Sequence, residues 1–381
     1  MSHNEILLSQ NPSVRPQATK QKEKQIEVIT TPYYHPILPL LIDSNSARLP
    51  NPNVVLPQKV FFHGDDAAHQ VRAGLKLYQQ TMGQKARGMW PSEMSISPAA
   101  LEIIARQSVQ WVIADEALLA RTTGYSIYRD EYGNLNSAEI LCQPYELTVG
   151  DEKINLFFRE LVISNELSFS YGARGAEEAA SAMYMRLKHI QRRLINWERE
   201  GVVVIALDGE NCWETYEQDG RPFLQELYRR LAKDSTLTVC TVSDYLARNP
   251  ATAKLDKIET GSWINADFHI WIGEPEKNQA WDLLATTRNF LVEELKRKSY
   301  ADKVKRAAWE EIYAAEGSDW FWWFGEPNNS DHDDMFDEQF RLRLKNVYKI
   351  LGQPYPPDLD QRITSLPQVP NAELIATFEG H

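Results

Sequence analysis

The sequence predicts an α/β protein: a parallel sheet or barrel, followed by a helical subdomain. Three observations lead there. Residues 202–207 are a continuous aliphatic run, Val202 to Leu207, the pattern of a strand buried on both faces. Asp208 and Gly209 end that run, and the C-terminal ends of parallel strands are where α/β folds place chemistry. Strand and helix signals alternate from about residue 25 to 241 without clear hairpins, which favours parallel pairing, whereas beyond about residue 273 helical periods follow one another with no strand between them.

Taken in order, residues 1–24 are polar, rich in Gln, Asn, Ser and Lys, and without an apolar period; they read as a disordered tail. Residues 25–30 alternate as a strand. Thr31 to Pro36 forms a rigid loop, because Pro32 and Pro36 push their predecessors out of the helical region. Helices are expected over 65–82 and 98–107, the second with Ser97 as N-cap. Strand 111–114 ends at Asp115, and strand 154–159 follows. A helix over 175–200 leads to strand 202–207, a helix over 223–232 and a last strand at 236–241. The helical subdomain carries periods at 278–296, 301–315 and 336–351. The acidic stretch Asp331 to Asp334 reads as a solvated turn in preference to a calcium loop. The expected organisation is therefore a tail over 1–24, a barrel-type catalytic domain over 25–272 and a helical subdomain over 273–381.

Composition narrows the chemistry. A formal charge of -12 on 381 residues argues against nucleic-acid binding, which needs clustered Lys and Arg. Eleven Trp and sixteen Tyr are many for this length. Aromatic faces suit the apolar C–H faces of sugar rings, although any single ring is first a core candidate. Cys142, Cys212 and Cys240 have no ligand spacing and suggest neither disulfides nor a zinc site. No secretory h-region precedes the first strand and no apolar stretch is long enough to span a bilayer. The expectation is a cytoplasmic protein without membrane contact.

Three acids stand at the ends of strand-like segments: Glu93 after Gly88 to Ser92, Asp115 after Trp111 to Ala114, and Asp208. Their shared position suggests one acid-lined pocket. Each has a plainer reading. Glu93 alone reads as a cap for the helix starting near Ser97. Asp208 alone reads equally as a turn former, since Asp-Gly after a strand is an ordinary turn; Asp115 at its strand end could also form a turn, with the pocket role preferred.

Longer motifs weigh against those plain readings. The segments Gly88 to Glu93, Leu207 to Glu214 and Ala315 to Trp323, with Thr31 to Leu40, resemble signature regions of glycoside hydrolase family 57, in the family's order and over about residues 25–360. The wording is most similar to the amylopullulanase and α-amylase branch. The resemblance implies an incomplete (β/α)7-type barrel lacking its first strand, followed by a helical bundle. It implies a retaining mechanism on α-glucans that needs no cofactor, with Glu93 as nucleophile and Asp208 as general acid/base. Retention requires two carboxyls about 5–5.5 Å apart, with protonation states separated by their surroundings.

The candidate substrate contacts are His35, Trp90, Asp115, Trp213, Trp263, Asp319 and Trp320. Trp90 and Trp213 are the apolar walls nearest the two acids. Trp263 is a candidate sugar platform, whereas Trp271 reads as core. His35 is a substrate ligand by the resemblance alone. Asp319 reads equally as a cap for its own helix. Glu210 and Glu214 are expected as supporting acids or as partners of Arg159.

The family's opening strand, with its His-Gln-Pro motif, has no counterpart in this sequence. Three explanations stand side by side: a second polypeptide supplying that barrel segment, a degenerate remnant, or further sequence encoded upstream. A split enzyme subunit, a non-catalytic α-glucan-binding protein and a 4-α-glucanotransferase are therefore carried as alternatives. Smaller departures are Glu160 and Asn165, where Asp is expected in both places, and Met94, where a small residue is usual.

Overall fold

The computed structural model describes residues 15–23, 25–209, 212–325, 328 and 330–364. In chain order they form α1 (Arg15–Lys22), α2 (Leu38–Ile42), α3 (Gly64–Met82), β1 (Gly88–Met89), α4 (Pro98–Ala105), β2 (Trp111–Ala114), α5 (Glu116–Thr123), α6 (Ala138–Leu141), β3 (Tyr145–Val149), β4 (Glu152–Phe158), α7 (Leu161–Phe169), α8 (Ala176–Arg193), α9 (Arg221–Lys233), α10 (Val242–Arg248), β5 (Ala253–Leu255), α11 (Pro275–Arg297), α12 (Asp302–Ala315), α13 (Ser318–Trp323) and α14 (Asp333–Ile350).

By contact the chain divides into two compact units, one of residues up to Thr31 with Val71–Ala266, the other of Pro32–Gln70 with Asp267–His381. Residues 32–70, which the sequence places with the barrel, thus group with the C-terminal helices.

The first unit is built on one five-stranded sheet of order β1-β2-β4-β3-β5. β1, β2 and β4 run parallel, in a register that sets Ala114 beside Phe158. β3 pairs antiparallel with β4 and parallel with β5. The β3–β4 hairpin corrects the expectation of no hairpins. Its turn is Gly150-Asp151, with Gly150 at φ 60°, a conformation glycine adopts without a Cβ penalty.

Two other expected strands are reduced. Residues 202–207 make one parallel bridge, Val204 to Arg159. Val204 and Ala206 are buried while Val203 and Ile205 are half-buried, so the run packs on one face and not on two. Residues 236–241 form no ladder, and Val239 is 62% exposed. Residues 25–30 contribute a bridge between Thr30 and Met89. The expected tail also holds structure: α1 places Gln21 against Tyr78, with Gln21 Nε2 donating to the Tyr78 hydroxyl at 2.7 Å. Residues 1–14 lie outside the described residues.

The sheet's core is Met94, Trp111, Ile113, Phe157, Val204, Ala206 and Tyr245, with Trp90 and Trp263 packed against it. Gly88 permits this packing, since a Cβ there would stand 2.2 Å from the Trp111 ring.

The second unit is helical around aromatic stacking. α11, α12 and α14 pack on one another. Trp281 stacks on Phe321 at 4.2 Å between ring centroids, and Phe290 on Tyr348 at 4.1 Å. Trp271 is fully buried, as expected. The acidic stretch forms a turn whose Asp333 accepts from the backbone N–H and hydroxyl of Ser330 and opens α14.

Candidate active site

Glu93 stands in a short turn after β1. Its φ and ψ are 56° and 28°, and Met94 follows at φ 48°. Two successive left-handed residues with side chains are strained and need outside support. That support is the segment Gly261–Trp263: Ile96 and Gly261 exchange backbone hydrogen bonds, and the Trp263 N–H donates to the Glu93 carbonyl at 3.2 Å. The capping role is taken by Ser97, whose Oγ accepts from the Ala100 N–H at 3.1 Å.

The carboxylate is oriented by tryptophan. Trp263 Nε1 donates to Glu93 Oε2 at 2.6 Å. Trp90 meets the Trp263 ring edge-on, with centroids 5.4 Å apart. The Arg159 guanidinium covers Trp263, 4.8 Å from the ring centroid. Arg159 Nε in turn donates to Asp115 Oδ2 at 2.6 Å, and both residues are buried. The other oxygen, Asp115 Oδ1, accepts from the Ala117 N–H at 2.8 Å and caps α5. Asp115 is thus the anchor of Arg159. The chain of contacts Asp115–Arg159–Trp263–Glu93 joins three segments at the C-terminal ends of the parallel strands.

Asp208 is half-buried and ends the 202–207 run. That run is registered on the end of β4 by the Val204–Arg159 bridge and by the Glu160 N–H donating to the Val204 carbonyl at 2.7 Å. Trp213 lies in a 3-10 turn, Cys212–Thr215, among Tyr216 and Phe223 at 5.3 and 6.4 Å. Glu214 is exposed and Glu210 lies outside the described residues; among the described residues the ion pair of Arg159 is with Asp115.

Three candidates belong to the second unit. His35 follows Tyr34 in a left-handed pair at φ 56° and 63°. Ser318 clamps it twice, its N–H donating to the His35 carbonyl at 3.0 Å and its Oγ pairing with His35 Nδ1 at 2.9 Å. Gly317 is required there, because a Cβ would approach the Tyr34 carbonyl oxygen to 2.7 Å. Asp319 is exposed in the first turn of α13. Trp320 donates its indole N–H to the Ala314 carbonyl at 2.7 Å and packs on Phe336 and Phe340, so its polar edge finishes α12. In the neighbouring segment, the Asp267 carboxylate holds the His269 imidazole above its ordinary pKa through a 2.6 Å hydrogen bond.

Among the described residues no group of three or more His, Cys, Asp or Glu is placed to hold a metal ion. No helix among them is long and apolar enough to cross a membrane.

The first unit is thus a parallel-rich α/β sheet with Glu93, Asp115 and Arg159 at the C-terminal ends of its parallel strands. The model of glycosyl hydrolase family 57 matches residues 13–256, and the chain belongs to this family. An α-amylase of Pyrococcus horikoshii is 23% identical over 234 residues, a match taking in 60% of this chain and 29% of the amylase. The chain therefore corresponds to less than a third of that relative. Among solved structures, a family 57 branching enzyme of Thermococcus kodakaraensis, in complex with glucose, superposes with a TM-score of 0.68 at 14% identity, covering 89% of this chain and 68% of that one. A Thermotoga maritima α-amylase gives 0.62 at 15% identity, over 91% and 72% of the two chains. A Thermococcus litoralis 4-α-glucanotransferase gives 0.61 at 15%, over 92% and 52%. At these identities the structural likeness speaks for the fold.

Proposed function

We propose that this chain is a retaining glycoside hydrolase acting on α-glucans, of the α-amylase or amylopullulanase type, on an incomplete (β/α)7-type barrel with a C-terminal helical bundle. The carrying observation is the 2.6 Å hydrogen bond from Trp263 Nε1 to Glu93 Oε2. A donor aimed at one carboxylate oxygen holds the group in a single orientation, which a nucleophile requires.

The chemistry is a double displacement. Glu93 attacks the anomeric carbon and forms an ester to it as the glycosidic C–O bond breaks. Asp208 gives its proton to the departing oxygen. Water then enters, loses a proton to Asp208 and attacks the anomeric carbon, and the Glu93 carboxylate leaves. A sugar hydroxyl replacing water would turn the same cycle into glucanotransferase chemistry. Trp90, Trp213 and Trp263 supply apolar ring faces to the glucan. Asp115 acts through Arg159.

Reducing-sugar release from soluble starch and pullulan tests this, with Glu93→Gln and Asp208→Asn in parallel. Activity in the parent chain and its loss in both variants supports the mechanism, and pullulan reports on α-1,6 links. A folded, inactive parent that binds glycogen would favour the binding-protein reading. Activity gained only on adding a polypeptide with the family's opening strand would favour a split enzyme. Transfer products from maltooligosaccharides would favour the glucanotransferase.

A further inference from the structure

Between α5 and α6 the chain makes a surface loop, residues 124–137, that the catalytic proposal does not use. It displays Tyr125, Tyr128 and Tyr132 at 64%, 67% and 73% exposure. Single exposed rings are unremarkable; three on one short loop call for a physical account.

The loop is firmly built. Arg129 donates from Nη1 and Nη2 to the two oxygens of Glu116, and from Nη2 to Glu160 Oε1, all at 2.6 Å. Glu116 and Glu160 are buried, and Arg129 is 15% exposed. Burial pushes the Glu116 carboxyl up, and the Arg129 hydrogen bonds oppose that push. Asp130 folds the tip, accepting from the backbone N–H groups of Tyr132 and Asn134 at 2.9 Å. Arg186 holds the Tyr132 carbonyl. The backbone is anchored while the rings stay in water, an arrangement that lowers the ordering cost of binding.

The anchors also locate the loop. Glu116 directly follows Asp115, and Glu160 directly follows Arg159. Arg129 therefore fastens the loop to the same strand ends that carry the Asp115–Arg159–Trp263–Glu93 chain. At its start, Arg121 of α5 donates to the Ala266 carbonyl at 2.7 Å, against the Trp263 segment.

We infer that Tyr125, Tyr128 and Tyr132 form a platform for the distal part of a long α-glucan chain whose reacting end lies at Glu93. Tyrosine suits this ligand: the ring face packs on pyranose C–H groups while the hydroxyl edge stays hydrated. The inference rests on the proposed function and adds a preference for polymer over short oligosaccharide.

The test compares amylopectin with maltotetraose for the parent chain, the triple variant Tyr125→Ala/Tyr128→Ala/Tyr132→Ala, and its Tyr→Phe counterpart. The alanine variant should raise KM for amylopectin about fivefold or more with kcat unchanged, and leave maltotetraose kinetics as they were. The phenylalanine variant should behave as the parent. Equal kinetics on amylopectin, or equal losses on both substrates, would overturn the platform. Glycogen retardation in native gels gives a readout that needs no turnover: retardation of the parent and of Glu93→Gln, lost in the alanine variant, supports it, and unchanged retardation overturns it. If the parent neither cleaves nor binds glycogen, the α-glucan reading fails and the platform with it. If the parent cleaves polymer and the alanine variant matches it, only the platform fails.

Discussion

Asp115 and Arg159 lie one residue beyond the ends of neighbouring parallel strands and form a buried ion pair, with Arg159 Nε 2.6 Å from Asp115 Oδ2. The pair is internal, yet through the Arg159–Trp263 stack it bears on the orientation of Glu93.

Removing one member of that pair strands the other charge. Asp115→Asn keeps a capping oxygen for α5 but loses the ion pair, and should destabilise the protein by about 3–5 kcal/mol in urea unfolding. Asp115→Asn with Arg159→Met should recover most of that stability, because no buried charge is left unpaired. It should not recover activity, because Trp263 has lost its cationic cover. Recovery of both would show that the pair serves folding only.

Trp263→Phe separates the ring from its N–H. Phenylalanine keeps an aromatic face beneath Arg159 and beside Trp90 but donates nothing to Glu93. A hydrogen bond to a charged group contributes about 1.5–3 kcal/mol, so kcat on starch should fall roughly ten- to hundredfold with little change in unfolding midpoint. An unchanged kcat would remove the observation on which the catalytic reading rests.

The second unit carries a pH signature. Glu316 is fully buried, accepts from Gln70 Nε2 at 2.7 Å and faces Asp66, which pairs with Arg288. Burial first, and the Asp66 charge second, hold the Glu316 carboxyl well above the ordinary carboxylate range. The folded state therefore retains a proton that the unfolded chain loses above the ordinary Glu pKa. Stability falls as pH rises from there toward the folded value. Glu316→Gln removes this dependence and keeps an acceptor for Gln70. Its Tm should exceed the parent's at pH 7–8, and the gap should close toward pH 4; a constant gap would mean that Glu316 does not titrate on unfolding.

Much of the plan was legible in the residues because local signals are strong where one element buries one face. α3 spans Gly64–Met82 against an expected 65–82, and Ser97 caps α4 as expected. The β3–β4 hairpin was missed although Gly150-Asp151 between alternating residues is its signal. The aliphatic run at 202–207 misled because hydrophobicity does not reveal whether a strand has partners on both edges. In the candidate site, the acids stood out at strand ends, and Arg159 was legible only as a basic residue awaiting an acidic partner. Its partner became evident only from the register of β2 on β4, which sets residues 115 and 159 side by side.

By itself the sequence determined an α/β chain with acids at strand ends, the tryptophan-rich signatures and the helices beyond residue 273, since these follow from periodicity and local order. Tertiary structure alone decided that residues 32–70 group with those helices, that Ser318 clamps His35 and that Trp263 reaches Glu93. The residues in those contacts are 283 and 170 positions apart along the chain, and no local pattern encodes which distant side chain a fold brings within hydrogen-bond reach.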